Sequence, residues 1–209
     1  MKYSENELAA LSADVSLRMS EKRYSHTLGV MRMTGRLAQF FPWTDPSELS
    51  AAALLHDVTK ELPQEEQRAI MRRSGVSFTE NDYATPSVFH SFTAPFVIAR
   101  DFPAFATDNI LSAVFKHTVG DAVMSTFDKI IFVSDYVEET RVYLSCTDMR
   151  NFLIMRLTTP GYPPERALDE TLMRIIRLTE DNLSRRGITV NDRMIAMRDA
   201  LRLRLEDNV

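Results

Sequence analysis

The sequence contains a single cysteine and only six glycines among its 209 residues. A lone thiol at Cys146 excludes an internal disulfide, and its simplest role is that of a small buried apolar side chain. Few glycines leave little scope for tight hairpin turns, which favours helices over a β-rich fold. No apolar run approaches the roughly 18 residues of a membrane-spanning helix. The N terminus also lacks the pattern of a secretory signal peptide, so we expect a cytoplasmic protein without membrane partners.

An excess of positive charge is also missing, because the formal net charge at pH 7 is −4. Duplex nucleic acid is normally bound through a basic surface, so we expect no duplex nucleic acid among the partners. A weakly acidic protein can still bind a polyphosphate where local cations or metal ions invert the field at the site. The content of apolar residues, 44%, is that of an ordinary globular protein.

Helical periodicity covers nearly the whole chain, so the sequence predicts an all-α fold. The clearest start signal is Asp45-Pro46-Ser47-Glu48, where Asp45 is expected to cap a helix and Glu48 to reach back as its capping-box partner. Similar signals occur at Thr85-Pro86 and at Thr107. The predicted helices span about 5–19, 21–41, 45–59, 63–75, 85–101, 107–120, 125–136, 148–158, 164–186 and 190–206.

One proline-rich break interrupts this pattern, between Thr158 and Pro164. It predicts a core over residues 1–158 and a C-terminal extension of two helices over residues 159–209. Each helix of the extension has an apolar stripe, Leu172, Ile175, Ile176 and Leu183 in one and Met194, Met197, Leu201 and Leu205 in the other. We expect these stripes to pack on the core, with a homodimer interface as the alternative.

The chain has four histidines about thirty residues apart, one in each of four predicted helices: His26, His56, His90 and His117. Apolar residues recur around each of them at helical spacing, so every histidine is expected to face the interior. Asp57 shares an inward face, and Asp135 lies near one. Taken singly, such residues are usually hydrogen-bonded core histidines or helix caps. Together they indicate a metal site at which four helices converge.

A metal ion explains the inward carboxylates, because a buried and unpaired carboxylate is costly. Imidazole and carboxylate ligands without thiolate suit iron, manganese, zinc, cobalt or nickel. Six such ligands are too many for one tetrahedral structural zinc, but they suffice for two metal ions that keep open coordination positions.

The order His26…His56-Asp57…Asp135 resembles the signature of the HD-domain superfamily. The resemblance extends to the YqeK-type family, the symmetrical bis(5′-nucleosyl)-tetraphosphatases, over about residues 18–185. Five blocks carry it in the same order and at similar spacing: residues 23–30, 53–60, 90–91, 116–120 and 128–138, with Arg141 just beyond.

This resemblance implies an all-helical HD-domain bundle that binds two divalent metal ions, typically iron. It implies hydrolysis of a dinucleoside polyphosphate, with diadenosine tetraphosphate cleaved symmetrically into two ADP. Carried over by position, one metal is held by His26, His56, Asp57 and Asp135, and the second by His90 and His117 with Asp57 bridging. The catalytic residues are then Asp57 and Lys60, and the substrate-binding residues are Arg23, Lys60, Thr118, Gly120 and Arg141.

The chain departs from the family pattern at three positions. Ser91 replaces a glycine and would narrow the pocket, Ser134 replaces an alanine, and Glu139 replaces a proline. Two other functions therefore stay open. One is an HD-type phosphohydrolase acting on a nucleoside monophosphate, a dNTP or a cyclic nucleotide. The other is a metal-dependent nucleotide-binding regulator with little turnover.

Overall fold

A computed structural model describes residues 1–206, which form eleven α-helices and no β-strand. The prediction of an all-α fold is therefore confirmed. No helix in this range is long and apolar enough to cross a membrane. The helices are α1 (Glu5–Ser16), α2 (Glu21–Ala38), α3 (Pro46–Leu55), α4 (Gln64–Arg73), α5 (Glu80–Ala84), α6 (Phe89–Asp101), α7 (Asp108–Lys116), α8 (Thr126–Val137), α9 (Leu144–Thr158), α10 (Pro164–Arg185) and α11 (Asp192–Glu206).

The start of α3 shows which part of its predicted cap forms. The side chain of Asp45 accepts hydrogen bonds from the backbone N–H groups of Ser47 and Glu48, as expected of an N-cap. Glu48 was wrongly predicted to complete a capping box. Its carboxylate is buried and accepts hydrogen bonds from Lys2 Nζ at 2.9 Å and from Thr107 Oγ1 at 2.6 Å. Glu48 therefore joins α3 to the N-terminal segment and to the start of α7.

Two helices end earlier than the sequence predicts. The prediction extended them to residues 59 and 120, whereas α3 ends at Leu55 and α7 at Lys116. His56 and His117 are therefore C-cap residues, each immediately after the last helical residue. After α3 the chain continues in tight turns, in which the N–H of Val58 donates to the carbonyl of Leu55.

Two other elements also differ from prediction. The short helix α5 was not expected, although Thr79 forms a complete capping box at its start. Helix α9 begins at Leu144, before the predicted residue 148, and its N-cap residue Tyr143 makes no side-chain capping bond. Without a capping side chain, the sequence gives no indication of where α9 begins.

Helix α3 lies at the centre of the bundle, where it contacts α1, α2, α7 and α8. The run from Ala51 to Leu55 is apolar all round and fully buried, as expected of a helix enclosed by others. On the far side of α8, the helices α9 and α10 pack against it, and α11 packs on α10. One hydrophobic cluster unites these elements, since it contains Leu54, Leu172 and Met197. The division at residue 158 into core and extension stays a prediction.

Candidate metal centre

The four histidines come from four different elements and meet inside the bundle. His26 lies in α2 and His90 in α6, and His56 and His117 follow the last residues of α3 and α7. Their rings form a continuous chain, with centroid distances of 5.5 Å from His26 to His56, 5.1 Å from His56 to His117 and 5.0 Å from His117 to His90. All four are buried.

The positions of two histidines at helix ends fix which ring nitrogen faces the centre. Nδ1 of His56 lies 2.7 Å from the carbonyl oxygen of Ala53, and Nδ1 of His117 lies 2.6 Å from that of Val114. The carbonyls of the last helical turn have no intrahelical partner, so they are available as acceptors. Because a carbonyl oxygen can only accept, Nδ1 must donate in both rings. Nε2 of each neutral ring is then the acceptor nitrogen, which faces the cluster and can bind a metal ion.

Asp57 lies between two pairs of histidines and presents a different oxygen to each. Its Oδ2 lies 3.4 Å from Nε2 of His56 and 3.8 Å from Nε2 of His26. Its Oδ1 lies 3.3 Å from Nε2 of His90 and 3.7 Å from Nε2 of His117. In each of these two groups of three side chains, the candidate ligand atoms all lie within 4.8 Å of one another.

Asp135 adds a carboxylate to the first of these groups. Its Oδ1 lies 3.0 Å from Nε2 of His26 and 4.0 Å from Nε2 of His56. The structure thus brings together all six residues that the sequence singled out as ligands. The donor set contains imidazole and carboxylate groups only, which suits borderline divalent metals.

The hydrogen bonding of the cluster is incomplete in a way that fits a metal ion. Nε2 of His26 and Nε2 of His56 are buried, yet neither forms a hydrogen bond of acceptable geometry with any residue in the range 1–206, although Oδ1 of Asp135 lies 3.0 Å from Nε2 of His26. Buried polar atoms are nearly always satisfied, so two unsatisfied atoms facing carboxylates need an explanation. A cation bound between them and the carboxylates would supply the missing partner. The residues present therefore fit divalent metal ions.

The charges of the cluster also match what metal ligands require. Burial raises the pKa of the Asp57 carboxyl, but the electrostatic influence of His56 and of the other surrounding histidines outweighs burial and holds the pKa well below its usual range. Burial likewise raises the pKa of the Asp135 carboxyl. Arg141 and His26 outweigh burial and hold this pKa well below its usual range. Burial lowers the pKa of His90 well below 6.5. Ionised carboxylates and a neutral imidazole are the forms that coordinate metal.

Glu138 is a functional candidate that the sequence did not reveal. It follows the last residue of α8, its side chain is fully buried, and its Oε1 lies 3.1 Å from Nδ1 of His26. Gly29 lies against it, since a β-carbon at that position would collide with Oε2 of Glu138. Burial lowers the pKa of His26, but Asp135 and Glu138 outweigh burial and raise it to about 9. Gly29, an inward glycine one turn after His26, was the one feature of the sequence that hinted at the close approach of Glu138.

Three cations surround the cluster at positions that the sequence predicted to bind substrate. Nη1 of Arg23 lies 2.8 Å from Oδ2 of Asp57, and Nη2 of Arg141 lies 2.7 Å from Oδ1 of Asp135. Nζ of Lys60 lies 3.2 Å from both ring nitrogens of His90. Burial lowers the pKa of Lys60, and the charge of Asp57 opposes that effect. The arrangement concentrates positive charge beside the candidate ligands.

The two remaining predicted substrate-binding residues have different surroundings. Oγ1 of Thr118 lies 3.1 Å from Nε2 of His90, at the wall of a cavity that opens on the cluster. Gly120 has a positive φ of 71° and packs against α11, because a β-carbon there would collide with Sδ of Met197. The close contact with Met197 and the positive φ together explain why a glycine stands at position 120.

Two cavities open on the cluster and share part of their lining. The inner cavity, of about 220 Å³, is lined by Arg23, Asp57, Lys60, His90, His117, Thr118, Phe132, Asp135, Tyr136, Arg141, Ile175, Thr179 and Met194. The outer cleft, of about 640 Å³, is lined by Ser20, Lys22, Arg23, His26, Lys60, Glu61, Glu138, Thr140, Arg141, Val142 and Tyr143. Arg23, Lys60 and Arg141 line both, so the three cations stand where the two spaces meet.

The three departures from the family pattern leave both cavities open. The hydroxyl of Ser91 donates to the carbonyl of Val88 at 2.8 Å, and Ser91 lines neither cavity. The expectation that Ser91 narrows the pocket is therefore wrong. Oγ of Ser134 is buried without a hydrogen-bond partner among the described residues. Glu139 is exposed and pairs with Arg36.

Comparisons with known proteins agree with this arrangement. The HD domain family matches residues 23–140. The chain is 31% identical to the symmetrical bis(5′-nucleosyl)-tetraphosphatase of Bacillus subtilis over 138 residues, which are 66% of this chain and 73% of that one. It is 25% identical to the protein of the same name from Staphylococcus aureus over 178 residues, 85% and 86% of the two chains. The crystal structure of a predicted HD superfamily hydrolase involved in NAD metabolism, from Clostridium acetobutylicum, matches with a TM-score of 0.82 at 25% identity, covering 97% and 98% of the two chains.

Proposed function

The chain belongs to the HD domain family, and we propose that it is a metal-dependent phosphohydrolase that cleaves diadenosine tetraphosphate symmetrically into two ADP. The observation that carries the proposal is the position of Asp57, whose two oxygens face two separate pairs of histidines. The relatives named symmetrical bis(5′-nucleosyl)-tetraphosphatase support the choice of substrate.

We propose that the cluster holds two divalent metal ions. His26, His56, Asp57 and Asp135 would bind the first, and His90 and His117 would bind the second together with Asp57. Iron is the metal we expect, and manganese, zinc, cobalt and nickel are compatible with the same ligands. The chemistry that such ions supply when bound is polarisation of phosphoryl oxygens and a lower pKa for the attacking water.

The chain's own residues would position the polyphosphate and offset its charge. Phosphoryl transfer depends mainly on positioning and electrostatic stabilisation. Lys60 is proposed as a catalytic cation, because its ammonium group lies beside His90 at the junction of the two cavities. Arg23 and Arg141 would bind phosphate oxygens once these replace the carboxylates as their partners. Thr118 would donate a hydrogen bond from the wall of the inner cavity.

Hydrolysis of a phosphoanhydride needs no covalent nucleophile from the protein. Cys146 is buried in α9 and lines neither cavity. The four histidines are all placed at the cluster, so no serine is left with a histidine partner to activate it. Direct attack by water is the route that the site favours.

The experiment is metal analysis of the purified protein followed by a nucleotide panel with identification of products. We expect bound divalent metal and the release of two ADP from each diadenosine tetraphosphate. Orthophosphate released from nucleoside monophosphates would instead indicate a nucleotidase, and tight nucleotide binding with little turnover would indicate a regulator.

The variant Asp57→Asn tests whether the cluster is responsible. It should lose bound metal and hydrolysis together while its helical content is retained. Asp101→Asn is the control, because Asp101 pairs with Arg18 at the surface, away from the cluster. Hydrolysis by Asp57→Asn at the rate of the parent would contradict the mechanism.

A further inference from the structure

Three consecutive apolar side chains are exposed at the outer cleft. Val142, Tyr143 and Leu144 are 82%, 73% and 76% exposed, and Val142 and Tyr143 line the cleft. Single exposed apolar residues are common on protein surfaces, whereas contiguous apolar patches usually mark a binding site. Because this patch adjoins three cations, it suits a ligand that is both apolar and anionic.

The segment that carries this patch is held in place by the protein. The guanidinium group of Arg150 donates to the carbonyl oxygens of Val137, Glu138 and Arg141, at 2.5, 2.6 and 3.0 Å. Tyr143 itself accepts hydrogen bonds at its carbonyl from the N–H groups at the start of α9. The ring of Tyr143 therefore projects into solvent from a backbone that is held in place.

The two cavities reach opposite ends of the chain of histidine rings. The inner cavity reaches His90 and His117, the outer cleft reaches His26, and the cations Arg23, Lys60 and Arg141 line both. A ligand with a central polyphosphate and a nucleoside at each end matches this arrangement, with the phosphates at the shared cations and one nucleoside in each cavity. Symmetrical cleavage also requires an equal nucleoside diphosphate on either side of the bond that breaks.

We propose that the outer cleft is the subsite for the second nucleoside of the substrate, whose base stacks on Tyr143, while the first nucleoside occupies the inner cavity. This assignment rests on the proposed function, because only a dinucleoside substrate needs both spaces. Stacking suits such a subsite, since every base has a flat π-face.

Kinetics with diadenosine tetraphosphate test the assignment. Tyr143→Ala should raise KM about tenfold, within the range for loss of one base–aromatic stack, and leave kcat unchanged. Tyr143→Phe should restore the parental KM because it keeps the ring. Trp43→Ala is the matched control, since Trp43 is an exposed aromatic residue that lines neither cavity. An unchanged KM in Tyr143→Ala, with an active parent, overturns the subsite and leaves the proposed function standing.

Equilibrium binding of ADP in the presence of Mn²⁺ gives a second readout that does not depend on turnover. The parent should bind two ADP per chain, and Tyr143→Ala should lose or weaken one of them. A parent that binds one ADP, with an affinity that Tyr143→Ala does not change, overturns the subsite even if the protein proves inactive on diadenosine tetraphosphate. A change from dimer to monomer in Tyr143→Ala, with KM unaltered, would assign the patch to contact with a second copy and equally overturn the proposal.

Discussion

Nδ1 of His26 lies 3.1 Å from Oε1 of Glu138, a carboxylate that is fully buried. An ionised carboxylate only accepts hydrogen bonds, so the imidazole donates through Nδ1 and directs Nε2 towards Asp57 and Asp135, where a metal ion would replace the proton on that nitrogen. Such carboxylate partners fix the orientation of a ligating histidine and raise its basicity. Backbone carbonyls hold His56 and His117 in the same way. Glu138 is thus a positioning residue for His26.

Removal of Glu138 should weaken metal binding. We expect Glu138→Ala to lower metal affinity roughly 10- to 100-fold, the usual loss when an outer partner of a ligand is removed. Glu138→Gln should lose less, because its amide oxygen can still accept from His26. The measurement is competition with a chromophoric chelator, and saturating metal should restore most of the activity.

Thr140→Val is the control for this prediction. It removes a hydroxyl that donates to Oε1 of Glu138 at 2.6 Å, but it leaves the contact with His26 in place. Metal affinity should therefore stay near that of the parent. If Glu138→Ala bound metal as tightly as the parent, a positioning role would be ruled out.

A methyl group at position 29 should disturb the same contact from the other side. In Gly29→Ala the new β-carbon would collide with Oε2 of Glu138, so the carboxylate must move and metal affinity should fall. The double variant with Glu138→Ala should show no additive loss, because both changes act on one interaction. Gly35→Ala is the control in the same helix, since no atom lies within 4 Å of its new β-carbon. It should stabilise the fold by about 0.5–1 kcal/mol without affecting metal. Additive losses would show that the two residues act independently.

The candidate ligands could be predicted from sequence because each lies on an inward face with apolar neighbours at helical spacing. Glu138 could not, because it lies just beyond α8, where periodicity no longer indicates direction. Its contact with His26 forms only when α2 and the end of α8 pack together. The positions of His56 and His117 at helix ends were also missed, and these positions determine which nitrogen faces the metal.

The fold shows the same division between local and long-range information. Caps that use a nearby side chain, such as Asp45 at α3, were located correctly. The buried carboxylate of Glu48 was misread because its partner Thr107 is distant in sequence. Local patterns therefore identify where most helices start, whereas contacts between helices decide what their polar side chains do.

Substitution of Lys60 should separate catalysis from metal binding. Lys60→Met should lower kcat roughly 100-fold or more, the usual loss when one donor to the transition state is removed. Metal content should persist, because Lys60 is not among the candidate ligands. Lys60→Arg keeps the charge and should recover part of the activity. Single-turnover kinetics on metal-loaded protein would measure the effect, and a parental kcat in Lys60→Met would exclude the catalytic assignment.

Ser134 offers a test of stability without a change at the active site. Its hydroxyl is buried and makes no hydrogen bond within residues 1–206. A buried hydroxyl without a partner costs about 1–3 kcal/mol, so Ser134→Ala should increase the free energy of unfolding by about 1 kcal/mol. Ser91→Ala is the matched control, because it removes a hydroxyl that donates to Val88 and should not stabilise. Urea denaturation would distinguish them, and a destabilised Ser134→Ala would show that the hydroxyl has a partner.

The cap of α3 should contribute stability that depends on pH. Burial raises the pKa of Asp45, but hydrogen bonds from Ser47 and Glu48 outweigh it and lower the pKa from 3.8 to about 2. The folded state binds a proton at Asp45 less readily than the unfolded state does. The stabilisation is therefore present above pH 3.8 and is lost as the pH falls towards about 2. Asp45→Ala should therefore cost about 1 kcal/mol at neutral pH, and the difference from the parent should narrow in acid. Urea denaturation at several pH values measures this, with Asp14→Ala on the exposed face of α1 as the control. A difference between Asp45→Ala and the parent that stays constant down to acidic pH would show that the charge of Asp45 does not stabilise the cap.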